Sequence, residues 1–445
     1  MFSFSRLWRK DPYKLVSILQ GPRDAVLSVS FSVEGRFVAA AGYSGVYTWD
    51  LSTGNPATTP YSAVHSNDPR RMFSASSWLL SEPGSRNILI LGSMRGELLI
   101  WEWRSDHEMF ESFCPAPALQ SQEHITSISV HELRISDQND GRIVVATADS
   151  HVAVLCLSVS DRRLDTIFNV SMAEGFIPKS VCFHQKSRDV IVFAMTGGVV
   201  CRLNHATGEG KTDPCDERAD MLGSVCVDEP NDRFIAWTGQ DFDIFTLSTL
   251  KHVRTLKGFN PLVAFPKQTL FIDQSKFAIA GTDRGCAVIY DTGSGVVVNT
   301  LRYPKDGLVH TVAYCTTTER DFLGIAGSTA HQQNDVVVYS KKHVTSPLSR
   351  RNDTASARIL EFKDNNLRIN FNALMKKFSV FAWLSRIIIH VLAAMGLYLC
   401  LWLYTPLPQI LQEYAPSSYE QLPLVVVFDG YLIANRRDQC LIKQV

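Results

Sequence analysis

The feature that leaves this chain the least freedom is a pattern it repeats seven times. In each copy, three short runs of β-branched and apolar residues follow one another, separated by Gly, Ser, Asn and acidic residues. Such runs between turn formers read as strands joined by tight turns. The first copy occupies 25–32, 33–42 and 43–51. The next three lie at 71–80, 87–93 and 97–104; at 125–133, 142–148 and 151–159; and at 178–184, 189–195 and 199–204. The last three lie at 222–228, 233–239 and 242–247; at 261–265, 276–281 and 287–291; and at 309–316, 322–327 and 335–341. The third runs recur roughly every 43–54 residues, a period expected of stacked sheet units. One such unit cannot bury its apolar faces alone, so it must pack against its neighbours.

Material for a fourth strand follows six of the copies, for example at 163–170, 252–256 and 296–301. After the seventh copy the chain turns polar and basic instead. The missing strand stands at 14–20, ahead of the first copy. The N-terminal strand is therefore expected to complete the last sheet and close a ring with no open seam. The fourth copy is the weakest: its outer strand falls on the polar stretch 209–214, where a short or irregular edge is expected.

The first copy ends in Trp49-Asp50, and it carries further marks of one family. Ser32-Val33-Glu34-Gly35-Arg36 matches a Ser-Pro-Asp-Gly-Arg turn, with Gly35 at the position that needs positive φ. Gly42-Tyr43-Ser44-Gly45 precedes the third strand, and Gly21-Pro22 stands where Gly-His is usual. Trp101-Glu102 and Tyr290-Asp291 echo the dipeptide in two other copies. The chain resembles the WD40-repeat β-propellers. That resemblance implies an all-β, seven-bladed propeller over 14–342, which binds proteins or peptides on its face and rim without catalysis. It also gives Asp149 and Asp283 a turn role between second and third strands.

The totals narrow the function further. Lys plus Arg and Asp plus Glu are both 44, so no basic field invites nucleic acid. Residues 1–10 hold no run suited to a signal peptide, and Phe2 stands where myristoylation needs Gly. The ten cysteines form no Cys-x-x-Cys pair. Cys156, Cys182, Cys201, Cys226, Cys286 and Cys315 sit in strand-like runs and read as buried reduced thiols. No motif of nucleophile, metal site or phosphate loop is present. The expectation is a non-enzyme with no catalytic, cofactor or metal residues and no small-molecule substrate; the partner-binding residues are left unassigned. Solitary histidines such as His151 and His310 read as turn or rim residues.

Past the repeats, 343–377 reads as a polar, basic linker. A mostly apolar segment follows at 379–404, and within it 387–404 has His390 as its one readily charged group. About 20 helical residues cross a hydrocarbon core, and this run is apolar all round. It reads as a single transmembrane helix. Trp383, Tyr398, Trp402 and Tyr404 suit the interfaces, Arg386 can snorkel, and Pro406 and Pro408 end the helix. Lys363, Arg368, Lys376 and Lys377 precede it, whereas only Glu413 and Glu420 are charged in the stretch just after. The positive-inside rule then places the propeller in the cytosol and the tail 405–445 in the lumen. Within that tail, 422–428 and 431–434 suggest a small strand pair. The sequons at Asn169 and Asn352 would stay unglycosylated.

Two functions fit this layout. The first is a membrane-anchored scaffold, bound to the bilayer by its C-terminal helix and to protein partners by its propeller. The second is nucleotide exchange on a small GTPase: propeller, span and lumenal tail are similar in layout to the exchange factors that start COPII-coat assembly at the endoplasmic reticulum. Those carry a Gly- and Asn-rich ion-binding loop early in the first blade, where this chain has only Ala-Ala-Gly-Tyr-Ser-Gly at 40–45. The organelle expected on either reading is the endoplasmic reticulum.

Overall fold

The structure is a computed structural model. It describes residues 12–60 and 72–343, apart from positions 83, 116, 118, 120–121, 137, 217–218, 258–260 and 264, and five short strands between 360 and 444. The chain divides into two compact units, Met1–Val344 and Thr345–Val445.

The first unit is a seven-bladed β-propeller. β1 (Lys14–Leu19) waits for the last blade. Blade 1 comprises β2 (Val26–Phe31), β3 (Phe37–Gly42), β4 (Gly45–Asp50) and β5 (Asn55–Ala57). Blade 2 follows with β6 (Phe73–Glu82), β7 (Arg86–Ser93), β8 (Leu98–Arg104) and β9 (Met109–Ser112). Blade 3 has β10 (Ile125–Val130), β12 (Gly141–Thr147), β13 (His151–Ser158) and β14 (Arg163–Ser171), while β11 (Arg134–Ser136) leaves it to pair with β6 in parallel. Blade 4 runs β15 (Pro178–Phe183), β16 (Val190–Ala194), β17 (Val199–Leu203), β18 (Gly210–Pro214). Blade 5 runs β19 (Val225–Asp228), β20 (Arg233–Trp237), β21 (Phe242–Thr246), β22 (His252–Leu256). Blade 6 has β23 (Thr269–Ile272), β24 (Phe277–Gly281), β25 (Cys286–Asp291) and β26 (Val297–Arg302). Blade 7 has β27 (Thr311–Thr316), β28 (Arg320–Ala326) and β29 (Val336–Lys342), with β1 as its outer strand.

The ring closes as the strand count requires. β1 pairs antiparallel with β29, from Lys14 opposite Ser340 to Leu19 opposite Val336. Leu19 then joins Val26, Phe31, Trp49 and Val338 in one buried cluster across the seam.

The core lies between blades, not within them. The second strand of each blade packs on both faces and reads as a nearly unbroken apolar run: Val-Ala-Ala-Ala in β3, Ile-Leu-Ile-Leu in β7, Val-Ile-Val-Phe-Ala in β16. Large aromatics fill the wedges between blades. Between blades 1 and 2, Phe37 stacks on Trp78 at 6.2 Å and meets Phe110 edge-on at 5.4 Å. Each such side chain contributes about 1.5–3 kcal/mol by leaving water. Gly35 has φ +69 in the β2–β3 turn, as its place there requires. Gly42 answers a different need: a Cβ there would lie 2.2 Å from the Ala25 carbonyl oxygen.

Four sequence-based expectations are corrected. The inner strand of blade 6 is Thr269–Ile272, not 261–265. Pro261 and Pro266 bracket the earlier run and remove ladder donors there. In blade 5 the inner strand begins at Val225, because Leu222 and Gly223 spend their amides on Met195 and Trp237 carbonyls. The outer strand of blade 4 is regular: Gly210–Pro214 pairs with Val199–Leu203 without a register shift. An outermost strand faces water, so polar side chains cost it little. Blade 2, finally, has a fifth strand, β11.

In the second unit, β30 (Leu360–Lys363) and β31 (Asn366–Ile369) form a hairpin. β32 (Val425–Phe428), β33 (Tyr431–Arg436) and β34 (Gln439–Gln444) form an antiparallel meander, one strand more than expected. The segment read as a transmembrane helix, 379–404, lies outside the described residues. Among the described residues no helix is long and apolar enough to cross a membrane.

Candidate functional site

In every blade the first three strands form an antiparallel meander, so the start of each inner strand and the turn between second and third strands lie at the same end of the ring. That end is one mouth of the central channel. Inner strands are stitched to one another around it. The Ser28 and Ser76 hydroxyls meet at 2.8 Å; Ser74 Oγ donates to the Ile125 carbonyl at 2.5 Å and Thr126 Oγ1 to that of Pro178 at 2.8 Å. Val225 N donates to Ser180 Oγ, Val312 N to Gln268 Oε1, and Thr311 Oγ1 to the Val26 carbonyl.

On this face the loop before β23 holds apolar side chains out into solvent. Leu262 is 71% exposed, Val263 48% and Phe265 40%. The backbone beneath them is fastened. Asp283, in the β24–β25 turn, accepts the amides of Leu262 at 2.6 Å and Val263 at 2.9 Å. Lys267 Nζ donates to the carbonyls of Val263 at 2.8 Å and Phe265 at 3.2 Å, and lies 3.4 Å from Asp283. Both charged side chains are buried. Burial would raise the Asp283 carboxyl, but the two amides and Lys267 outweigh it and hold it below the usual carboxylate range. Burial pulls the Lys267 ammonium down against the opposing pull of Asp283.

Phe265 joins this loop to the channel through an edge-on contact with His310, ring centres 5.1 Å apart. His310, just ahead of β27, is buried, and its pKa is pushed down to about 3 by burial and by the charges of Lys179 and Lys267. His124, just ahead of β10, is lowered by burial and by Lys179, against an opposing pull from Glu123. Lys179 lies on β15. It is half-buried, and protein crowds its ammonium closely enough that burial lowers its pKa. The mouth thus gathers a lysine and two imidazoles from blades 3, 4 and 7.

The residues singled out from sequence divide between structure and site. Asp149 and His151 stay a turn pair: Asp149 accepts Thr147 Oγ1 at 2.7 Å, and His151 Nδ1 lies 3.3 Å from its carboxylate. Asp283 keeps its turn position and also anchors the apolar loop. His310 is a mouth residue, not a rim residue. Cys201, Cys286 and Cys315 are buried and free, while Cys156, Cys182 and Cys226 are half-buried and free. Asn169 sits within β14 and Asn352 lies outside the described residues. The β3–β4 turn spans only Tyr43 and Ser44, so the ion-binding loop of the exchange factors has no counterpart there. Lys179 and Lys267 were missed; the available signal was a lysine directly after a proline at the head of an apolar run.

Comparison with known proteins adds no name to this face: no family model matches the chain, and no curated protein matches it.

Proposed function

We propose that the chain is a membrane-anchored scaffold of the WD40 kind, which holds a protein partner on the channel-mouth face of its propeller. The observation that carries this reading is the loop at 261–265. Three large apolar side chains are kept in water by a backbone that two buried charges fasten. A fold gains nothing by exposing them, whereas a pre-ordered apolar knuckle loses little entropy when a partner covers it. Anchoring rests on the apolar run 379–404, and the cytosolic placement of the propeller on the lysines and arginines that precede it.

The test compares detergent-solubilised full chain with a Leu262→Asp, Val263→Asp variant in affinity purification. Both positions are exposed, so the fold should keep its melting temperature within about 2 °C. Proteins retained by the parent should be lost from the variant. An unchanged set would sink this assignment of the face. Nucleotide exchange is checked in the same preparation with the COPII GTPase; acceleration by the parent would replace the scaffold reading.

A further inference from the structure

We propose that the channel mouth is an anion site in which Lys179 receives a carboxylate of the bound protein, an Asp or Glu side chain or a chain terminus. The proposal rests on the protein-binding reading of this face and names the group recognised.

The argument begins with a bulge. Four inner strands shift register after their first residue, which leaves Leu27, Ser74, Thr126 and Lys179 at equivalent positions. Ser74 and Thr126 use this position to bond a carbonyl of the next blade. Lys179 makes no such stitch: its side chain has no hydrogen bond or ion pair among the described residues. Its charge is felt by His124 on the neighbouring blade 3 and by His310 on blade 7 across the ring. β15 is the innermost strand of its blade, so a side chain that acts on both lies on the channel side of the ring.

A crowded ammonium without a counter-charge is costly to keep. Leucine, serine and threonine serve the same position in blades 1, 2 and 3, so the fold itself does not need the lysine. Its neighbours favour a carboxylate. One ammonium and imidazoles that are neutral at pH 7 balance a single negative charge, whereas a phosphate dianion is usually met by several cations or an arginine fork. Ile177 and Phe265, 37% and 40% exposed, give the mouth an apolar rim. A recognised segment would therefore carry an apolar residue beside its acidic one.

The experiment uses the detergent-solubilised full chain and Lys179→Met, which keeps the aliphatic stem. Without added anion the variant should melt higher than the parent, by about 2 °C or more, because an unpaired charge has been removed. N-acetylglutamic acid α-amide should then raise the parent's midpoint in a saturable way and leave the variant's unchanged, with inorganic phosphate less effective. A variant that melts lower gives Lys179 a structural role and overturns the proposal. So does an equal response of both proteins, or a stronger response to phosphate. The Leu262→Asp, Val263→Asp protein separates the two readings: if it keeps its partners yet shows the Lys179-dependent anion response, the docking face is wrong and the anion site stands.

Discussion

Asp283 shows how one side chain can serve fold and surface together. Asp283→Ala would leave Lys267 buried without its counter-charge and free two loop amides. We expect a loss of about 2–4 kcal/mol in denaturant unfolding, partly restored by adding Lys267→Met. The carboxyl is held below its ordinary value in the fold, so its contribution is complete above about pH 4 and disappears as pH falls further. His310 acts at higher pH. Its folded pKa is near 3 against 6.5 for the free side chain, so the unfolded chain takes up the proton first. Stability should fall as pH drops below about 6.5, by on the order of 1–2 kcal/mol at pH 5. In His310→Asn that part of the slope should vanish, although His124 will leave a residue of it. Equal slopes in parent and variant would refute the assignment. Sequence alone placed Asp283 in its turn but showed neither its hold on the loop nor the place of His310 at the channel mouth. A histidine or lysine beside an apolar run looks the same whether it faces bulk water or a channel.

Among elements, β1 carries the most consequence for its length. It supplies the outer edge of blade 7 and places Leu19 in the seam between blades 7 and 1. Deleting residues 1–21 should lower the melting midpoint by more than about 5 °C and promote association through the bared edge of β29. A truncated protein that melts like the parent would show that β1 does not hold the ring. This element was legible because strand counting is discrete: one copy lacked a fourth strand and one strand was spare. β23 was not, since 261–265 and 269–272 are both apolar runs of strand length. Two prolines and the pull of Asp283 and Lys267 decide between them. β11 escaped as well; three residues carry no periodicity, and its pairing with β6 exists only once blades 2 and 3 stand side by side.

At the scale of the whole molecule, the ring and the proposed anchor make separate predictions. The ring is stabilised by apolar wedges between all neighbouring blades, so Phe37→Ala should cost about 3–5 kcal/mol despite lying in one strand. If the anchor crosses as the flanking charges direct, the full chain should resist carbonate extraction. A sequon engineered near Ser417 should be glycosylated, while Asn169 and Asn352 remain bare. Glycans on those two instead would reverse the orientation and put the channel mouth in the lumen.

The sequence by itself determined what depends on period and order: seven repeats, four strands to a blade, and closure by the first strand. Those follow because each sheet must bury two apolar faces and leave no open edge. The tertiary structure decided what depends on position around the ring. Lys179, His124 and His310 are separated in sequence by as much as the distance from blade 3 to blade 7, and only the circular stacking of blades brings their side chains to one mouth. There, burial and a missing counter-charge turn an ordinary strand lysine into the candidate ligand of an anion.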